Sequence, residues 1–140
     1  MRYMGLDYGD KTVGVAVSDA LGITAQPLET ITRERPTKLR KTYQRIEAII
    51  AEYGVEKIVV GKPLNMNGTA GKRVALTESF GEELERRTGL EIIYVDERLT
   101  TAEADRLLEL QDVKSGDRKE YIDKMAAAII LRTYLERHRS

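Results

Sequence analysis

Carboxylates at the ends of three predicted elements are the residues best able to do chemistry in this sequence. Asp7 ends the apolar run that opens the chain, and the glycine-bearing turn after it lets backbone approach a ligand closely. Asp96 and Glu97 follow a later apolar run, in the segment VDERLTT. Asp123 lies in the first turns of the last predicted helix. A buried carboxylate is costly unless it accepts hydrogen bonds or binds a cation, so each acid needs a partner.

Helical spacing directs Asp123 toward the predicted sheet. Its neighbours at i+3, i+4 and i+7 are Ala126, Ala127 and Ile130, so this face of the helix is apolar. An uncompensated carboxylate on that face would cost several kcal/mol. Because the alanines at 126–128 are small, we expect the helix to approach the sheet closely and to bring Asp123 to the strand ends.

Carboxylates that converge from separate elements are typical of a site for a hard divalent cation. Mg²⁺ binds one or two carboxylates together with water and the phosphate oxygens of a substrate. Two such ions, about 3.5–4 Å apart, can activate a water and stabilise the leaving oxygen of a phosphodiester. The sequence has no cysteine and a single histidine, His138 near the chain end, which argues against a zinc site and a histidine base.

Each acid also has an ordinary structural explanation. Asp7 could accept hydrogen bonds from its own turn. The two acids after the later apolar run could form an ion pair with Arg98. Asp123 could cap backbone groups or pair with Lys119, one helical turn earlier. These explanations hold for each acid singly, but the position of all three at predicted element ends favours a shared site.

The elements that must position these acids follow an α/β pattern. Three strand-like runs, at 1–8, 13–18 and 28–31, predict an antiparallel meander. Apolar spacing then predicts a helix that begins at Pro36 and is closed by Gly54. The remaining predicted elements are a strand at 57–61, a loop at 63–69, a helix from Val74 to Thr88, a strand at 91–95, a helix opened by Thr100 and Glu103, and a last helix opened by Asp117 and Glu120. Strands followed by alternating helices and strands imply a mixed sheet covered by helices.

Composition limits the class of protein. The 140 residues, 41% apolar and 33% charged, have the size and composition of one globular domain, 1–140. The absence of cysteine, of a long apolar run and of a secretory leader predicts a cytoplasmic protein without a membrane partner. The 23 basic residues balance 23 acidic ones, so net charge does not indicate nucleic-acid binding and a polyanion would need local clusters. The candidate clusters are Arg33, Arg35, Lys38, Arg40 and Lys41; Lys72 and Arg73; and Lys114, Arg118 and Lys119.

Four sequence blocks resemble those of a known family. The blocks are GLDYGDKTVGVAVSD, VVGKPLNMNG, YVDERLTTAEA and KEYIDKMAAAIIL, and together they span residues 5–131 in the family order. They look like the YqgF-type, RuvX-like family of resolvase-like nucleases of the ribonuclease H-like superfamily. That family is described as acting on the precursor of small-subunit ribosomal RNA. The resemblance implies an α/β fold with a ribonuclease H-like mixed sheet and helices on both faces.

The resemblance also implies which residues form the site. Carried onto matching positions, it makes Asp7, Glu97 and Asp123 the catalytic acids and the ligands of Mg²⁺ or Mn²⁺. It implies substrate contacts at Lys11, Asn65, Gly68, Arg98 and Lys119. Two positions depart from the family pattern, because Thr12 stands where arginine is usual and Lys62 where leucine is usual. These departures affect the expected phosphate contacts and leave the acids in place.

The function implied by the resemblance is metal-dependent hydrolysis of phosphodiester bonds, with the 5′ end of pre-16S ribosomal RNA as the expected substrate. One alternative is a Holliday junction resolvase in DNA recombination and repair, which would need a symmetric dimer. A second is a nucleic-acid-binding protein that does not cut. A third is an ATPase of the actin and sugar-kinase type, whose phosphate loop also follows a strand aspartate, although that fold needs two such domains. The sequence is compatible with a monomer and with a homodimer.

Overall fold

The computed structural model describes residues 1–63, 71–96 and 115–138, with side chains throughout these ranges except at 115–120. The elements in chain order are β1 (Arg2–Tyr8), β2 (Thr12–Ser18), β3 (Ala25–Thr32), α1 (Arg40–Tyr53), β4 (Val55–Lys62), α2 (Lys72–Thr88), β5 (Glu91–Asp96) and α3 (Ser115–Arg137). Within these ranges, no helix combines the length and the apolar character needed to cross a bilayer.

The strands form one five-stranded sheet in the order β3-β2-β1-β4-β5. β2 pairs antiparallel with both β1 and β3, whereas β4 pairs parallel with both β1 and β5. The predicted meander and the predicted mixed sheet are therefore confirmed. Because β1, β4 and β5 run in one direction, their carboxyl ends lie at one edge of the sheet. The β1–β2 turn and the end of β3 lie at the same edge, which we call the carboxyl edge.

Alternation along the strands gives the sheet two apolar faces, and helices cover both. On one face, Leu6 belongs to a core that includes Ile46 of α1 and Phe80 of α2. On the other face, Val59 belongs to a core with Ile130 of α3. The prediction of an α/β fold with helices on both faces is thus confirmed.

Glycines on two neighbouring strands allow α3 to lie directly on the sheet. A Cβ atom on Gly5 would stand 2.7 Å from the carbonyl oxygen of Ala127. A Cβ atom on Gly14 would stand 1.9 Å from the carbonyl oxygen of Asp123. Neither atom fits unless the helix backbone moves. The predicted close approach is confirmed, and the strand glycines permit it as much as the helix alanines do.

The predicted ends of the helices agree with the structure better than the predicted starts do. Gly54 and Gly89 close α1 and α2 in the left-handed conformation, with φ of 70° and 72°. α1 begins at Arg40 and not at Pro36, because a turn forms around the proline in which the Lys38 amide donates to the Arg35 carbonyl over 3.1 Å.

The start of α3 also differs from the prediction. Asp117, predicted to open the last helix, already lies inside α3, which begins at Ser115. Helix formation is cooperative, so a capping residue does not set the start of a helix when the helical hydrogen bonding extends to residues before it. The predicted loop at 63–69, after its first residue, and the helix predicted from Thr100 lie outside the described residues.

A column of aromatic rings anchors the end of β1 on the face covered by α1 and α2. Tyr8 stacks on Phe80 with ring centroids 4.5 Å apart, and Phe80 stacks on Tyr43 at 5.5 Å. Guanidinium groups lie over both outer rings, with Arg33 5.1 Å from the Tyr8 centroid and Arg87 4.8 Å from that of Tyr43. The column fixes the last residue of β1 to two helices, and cation–π contacts of this kind stabilise by about 0.5–2 kcal/mol each.

Gly14→Ala is expected to destabilise the protein, because the added methyl group would meet the backbone of α3 at Asp123. Overpacking typically costs about 1–3 kcal/mol, and here rigid backbone must move. Urea denaturation followed by circular dichroism measures the decrease in stability. Gly9→Ala is the matched control, since the nearest atoms its methyl group would meet belong to Thr12 at 3.3 Å. Equal midpoints for the two variants would contradict the close helix–strand contact.

Tyr43 gives a prediction about alkaline stability. Burial, with a smaller contribution from Glu83, raises the pKa of Tyr43 to about 12. The unfolded chain releases the same proton near pH 10, so stability falls as pH rises from about 10 to about 12. We expect the urea midpoint of the parent protein to decline more steeply over this interval than that of Tyr43→Phe. Parallel declines would show that Tyr43 is not the source of the pH dependence.

Candidate active site

Asp7 lies at the carboxyl edge, on the sheet face that α3 covers. It follows Gly5 by two residues, and Gly5 contacts α3, so strand alternation places Asp7 on the same face. In the antiparallel pairing Asp7 stands opposite Gly14. The backbone of Asp123 rests on Gly14. Because directly opposed residues of antiparallel strands present their side chains on one face, Asp7 and the α3 backbone at Asp123 lie on the same face of the sheet, next to each other at Gly14.

The surroundings of Asp123 favour a cation near its carboxylate. The residue is partly buried and its Oδ2 atom is closed off from solvent. Ala126 and Ala127, on the same helix face, are buried against the sheet as the helical spacing predicts. Asp7 is also partly buried. A partly buried carboxylate is costly unless it is hydrogen-bonded or binds a cation, and two such acids on one face of the sheet favour a divalent cation between them. The donor set of carboxylate oxygens fits Mg²⁺ or Mn²⁺.

The third expected ligand, Glu97, lies outside the described residues. Across the ranges 1–63, 71–96 and 115–138, no three histidine, cysteine, aspartate or glutamate side chains form a group that could hold a metal ion. The structure therefore describes two of the three expected ligands, Asp7 and Asp123, and the metal-binding role of all three stays a prediction.

Asp96 and Lys62 close the parallel strands β5 and β4, opposite each other in the sheet. Val95, before Asp96, packs on the α3 face, so Asp96 belongs to the opposite face. The ammonium of Lys62 lies 3.9 Å from a carboxylate oxygen of Glu78 and 5.4 Å from the ring centroid of Tyr94. The extra cation that the sequence places at Lys62 is thus directed toward α2 and away from Asp7.

The predicted substrate contacts are described only in part. Lys11 is exposed in the β1–β2 turn at the carboxyl edge, four residues after Asp7. Lys119 lies in α3 one turn before Asp123, and its side chain is not among those described. The other predicted contacts lie outside the described residues; they are Asn65, Gly68 and Arg98.

Arg33 fixes the turn that follows Asp7. Its Nη2 donates to the carbonyl of Gly9, its Nε donates to that of Pro36 over 3.2 Å, and its amide donates to that of Lys11 over 2.8 Å. Nη1 is buried without a hydrogen-bond partner among the described residues, and burial lowers the pKa of the guanidinium. The sequence indicated Arg33 only as a member of a basic cluster. Its contact with the turn could not be predicted because it depends on the pairing of β3 with β2.

Comparison of the whole chain with known proteins shows which family it resembles. A family model described as "RuvX: Holliday junction resolvase" matches residues 1–137. A protein of Lachnospira eligens is 59% identical over 136 residues, which are 97% of this chain and 97% of the relative. A protein of Agathobacter rectalis is 57% identical over 136 residues, which are 97% of this chain and 95% of the relative. Both relatives carry the name "Putative pre-16S rRNA nuclease".

A solved structure supports the same architecture. The chain is similar to Thermus thermophilus RuvC in complex with a Holliday junction substrate, with a TM-score of 0.56 and 15% identity over 98% of this chain and 95% of that one. At this identity the likeness concerns the fold alone, and it confirms the ribonuclease H-like architecture that the sequence predicted. Since the family model and the relatives match nearly the whole chain, the protein belongs to the RuvX family.

Proposed function

We propose that this protein is a metal-dependent nuclease that hydrolyses phosphodiester bonds and processes the 5′ end of pre-16S ribosomal RNA in ribosome biogenesis. The observation that carries the proposal is the position of Asp7 opposite Gly14, on which the α3 backbone at Asp123 rests, so that both acids belong to one face of the sheet near the carboxyl edge. Membership of the RuvX family supports nuclease chemistry, and the names of the two relatives support the ribosomal precursor as substrate. We assign the activity to one domain, residues 1–140, and to the cytoplasm, where the precursor is made.

The residues of the site have separate roles in this proposal. Asp7, Asp123 and Glu97 would hold Mg²⁺ or Mn²⁺, which when bound acidifies a water and stabilises the leaving oxygen. Asp7 sits in a strand paired on both sides, and Asp123 sits in a helix packed on that strand's neighbour. Their main chains are therefore held before substrate arrives, which is the preorganisation that electrostatic catalysis requires. Lys11, which is exposed in the β1–β2 turn, would contact a phosphate of the substrate.

Cleavage of branched DNA is the second candidate function. The description of the family model and the fold shared with RuvC favour it. A resolvase makes paired cuts and needs a symmetric dimer, so the solution mass and the cleavage of a synthetic four-way junction separate the two candidates. A monomer that cuts ribosomal precursor RNA and leaves the junction intact would support the first.

Asp7→Asn is expected to reduce metal-dependent cleavage by about 100-fold or more, since loss of even an indirect support of a metal site costs 10–100-fold. The assay follows labelled precursor RNA and a four-way junction with Mg²⁺, Mn²⁺ or EDTA, and circular dichroism checks the fold. Asp10→Asn makes the same chemical change at an exposed residue of the same turn and should cut like the parent. If Asp7→Asn also cuts like the parent, the site assignment is wrong.

Asp123→Asn is expected to remove most of the stabilisation that Mg²⁺ or Mn²⁺ confers. A ligand that binds the folded state at about 100 times its Kd adds about 2.7 kcal/mol, which raises the Tm of the parent. Differential scanning calorimetry with and without the metal measures this rise in the parent, in Asp123→Asn and in the control Asp10→Asn. A rise that is undiminished in Asp123→Asn would exclude this residue from the ligands.

A further inference from the structure

A basic cavity lies at the carboxyl edge beside the turn that follows Asp7. Its volume is about 560 Å³, and the loop between β3 and α1 forms it together with the first turn of α1. The lining residues are Thr32, Arg33, Glu34, Thr37, Lys38, Leu39, Arg40 and Lys41. Four of them are cations and one is a carboxylate, so the cavity attracts anions.

Two of the four cations in this cavity lack an acidic partner among the described residues, whereas Arg33 is attracted by Asp10. Lys38 pairs with Glu34, with Nζ and Oε2 3.6 Å apart. Arg40 and Lys41 are exposed and form no ion pair within the described part of the chain. α1 starts here with no acidic residue in its first turn and no side-chain hydrogen bond at its N-cap, Leu39. The helix amides therefore add to the positive potential of the arginine and lysine side chains.

Arg33 connects the cavity to the turn beside the acids. It lines the cavity and donates to the carbonyl of Gly9, two residues after Asp7. Its Nη1 atom is buried and has no hydrogen-bond partner among the described residues. Because Nη1 is closed to solvent, Arg33 contributes its charge to the cavity, and a cation held partly out of water is stabilised by a nearby anion. The cavity thus contains a cation that is positioned by the same turn that ends the strand of Asp7.

We propose that this cavity binds a backbone phosphate of the nucleic-acid strand whose scissile bond lies at Asp7, an inference that rests on the proposed function. β3 and β1 are separated by β2, so their distance is about 10 Å. That distance spans only a few nucleotides of a strand, because the rise along the helix axis is about 3.4 Å per nucleotide and the path between neighbouring phosphates is longer. The cavity contacts the strand a few nucleotides from the cut. In a chain of zero net charge, such a local cluster supplies the attraction that overall charge does not.

The test compares two double variants of equal charge change. Arg40→Gln/Lys41→Gln neutralises two cations of the cavity. Lys57→Gln/Arg86→Gln, the control, neutralises two cations away from the carboxyl edge, at the start of β4 and the end of α2. Binding of a single-stranded RNA with the sequence around the pre-16S 5′ end is measured by fluorescence anisotropy in EDTA over a range of salt concentrations, so that cleavage is not needed.

We expect the cavity variant to bind the RNA about tenfold more weakly. Its slope of log K against log salt should be smaller by about 0.7 for each phosphate that the variant no longer neutralises. With Mg²⁺ it should raise KM with little change in kcat, whereas a collapsed fold would lower kcat as well. The control should keep the affinity and slope of the parent. Unchanged affinity and slope in the cavity variant, or an equal decrease in both variants, would overturn the proposal.

Two further experiments distinguish a nucleic-acid phosphate from a small anion in the cavity, and distinguish failure of this proposal from failure of the proposed function. Inorganic phosphate and AMP are titrated by calorimetry; if the cavity variant fails to bind them while its RNA affinity is unchanged, the cavity is a site for small anions and the proposal is overturned. A parent that binds no RNA would overturn it too. A parent that binds RNA through the cavity but cuts no nucleic acid with any metal would instead overturn the proposed function and leave the cavity assignment standing.

Discussion

The backbone of α3 lies on Gly5 and Gly14 with no room for a side chain between helix and strands. Protein interiors are close-packed, so a shift of this helix cannot be absorbed locally and would carry Asp123 with it. The contact brings Asp123 to the level of Asp7 through main-chain geometry and not through the reach of long side chains. The positions of the proposed metal ligands are therefore fixed by the packing of α3 on the sheet. That packing depends on Gly5 and Gly14, which have no side chains.

The end of β1 contributes an aromatic side chain to one face of the sheet and an acidic side chain to the other. Tyr8 joins the aromatic column against α1 and α2, while Asp7, one residue earlier, belongs to the face of α3. Arg33 links the two, because its guanidinium lies over the Tyr8 ring and donates to the Gly9 carbonyl. Acids and cations are thus held at neighbouring points of one edge by a shared turn, which is what a neutral protein needs in order to bind a polyanion locally.

The two departures from the family pattern have different structural consequences. Lys62 adds a cation near the site in the sequence, yet its ammonium is directed toward Glu78 of α2. Thr12 removes a cation from the first turn, but Thr12 pairs with Thr32 in the sheet, and Arg33 follows directly. A guanidinium therefore lies close to the position where the family arginine is missing. The charge near the acids depends on strand pairing as well as on the local sequence.

Much of the fold and part of the site could be predicted from the sequence. Strand alternation, helical spacing and the closing glycines at Gly54 and Gly89 are local patterns, because neighbouring residues determine them. The start of α1 was predicted wrongly because Pro36 suits a helix start and a turn equally. Residue type and position also singled out Asp7 and Asp123, since a carboxylate at the end of an apolar element needs a partner.

Only the tertiary structure showed that the α3 backbone at Asp123 rests on Gly14, opposite Asp7, and that the basic cluster around Arg33 forms a cavity next to the turn that follows Asp7. These contacts join residues far apart in the chain. They depend on which strands and helices pack together, and that choice is made by contacts between distant residues that no local pattern contains.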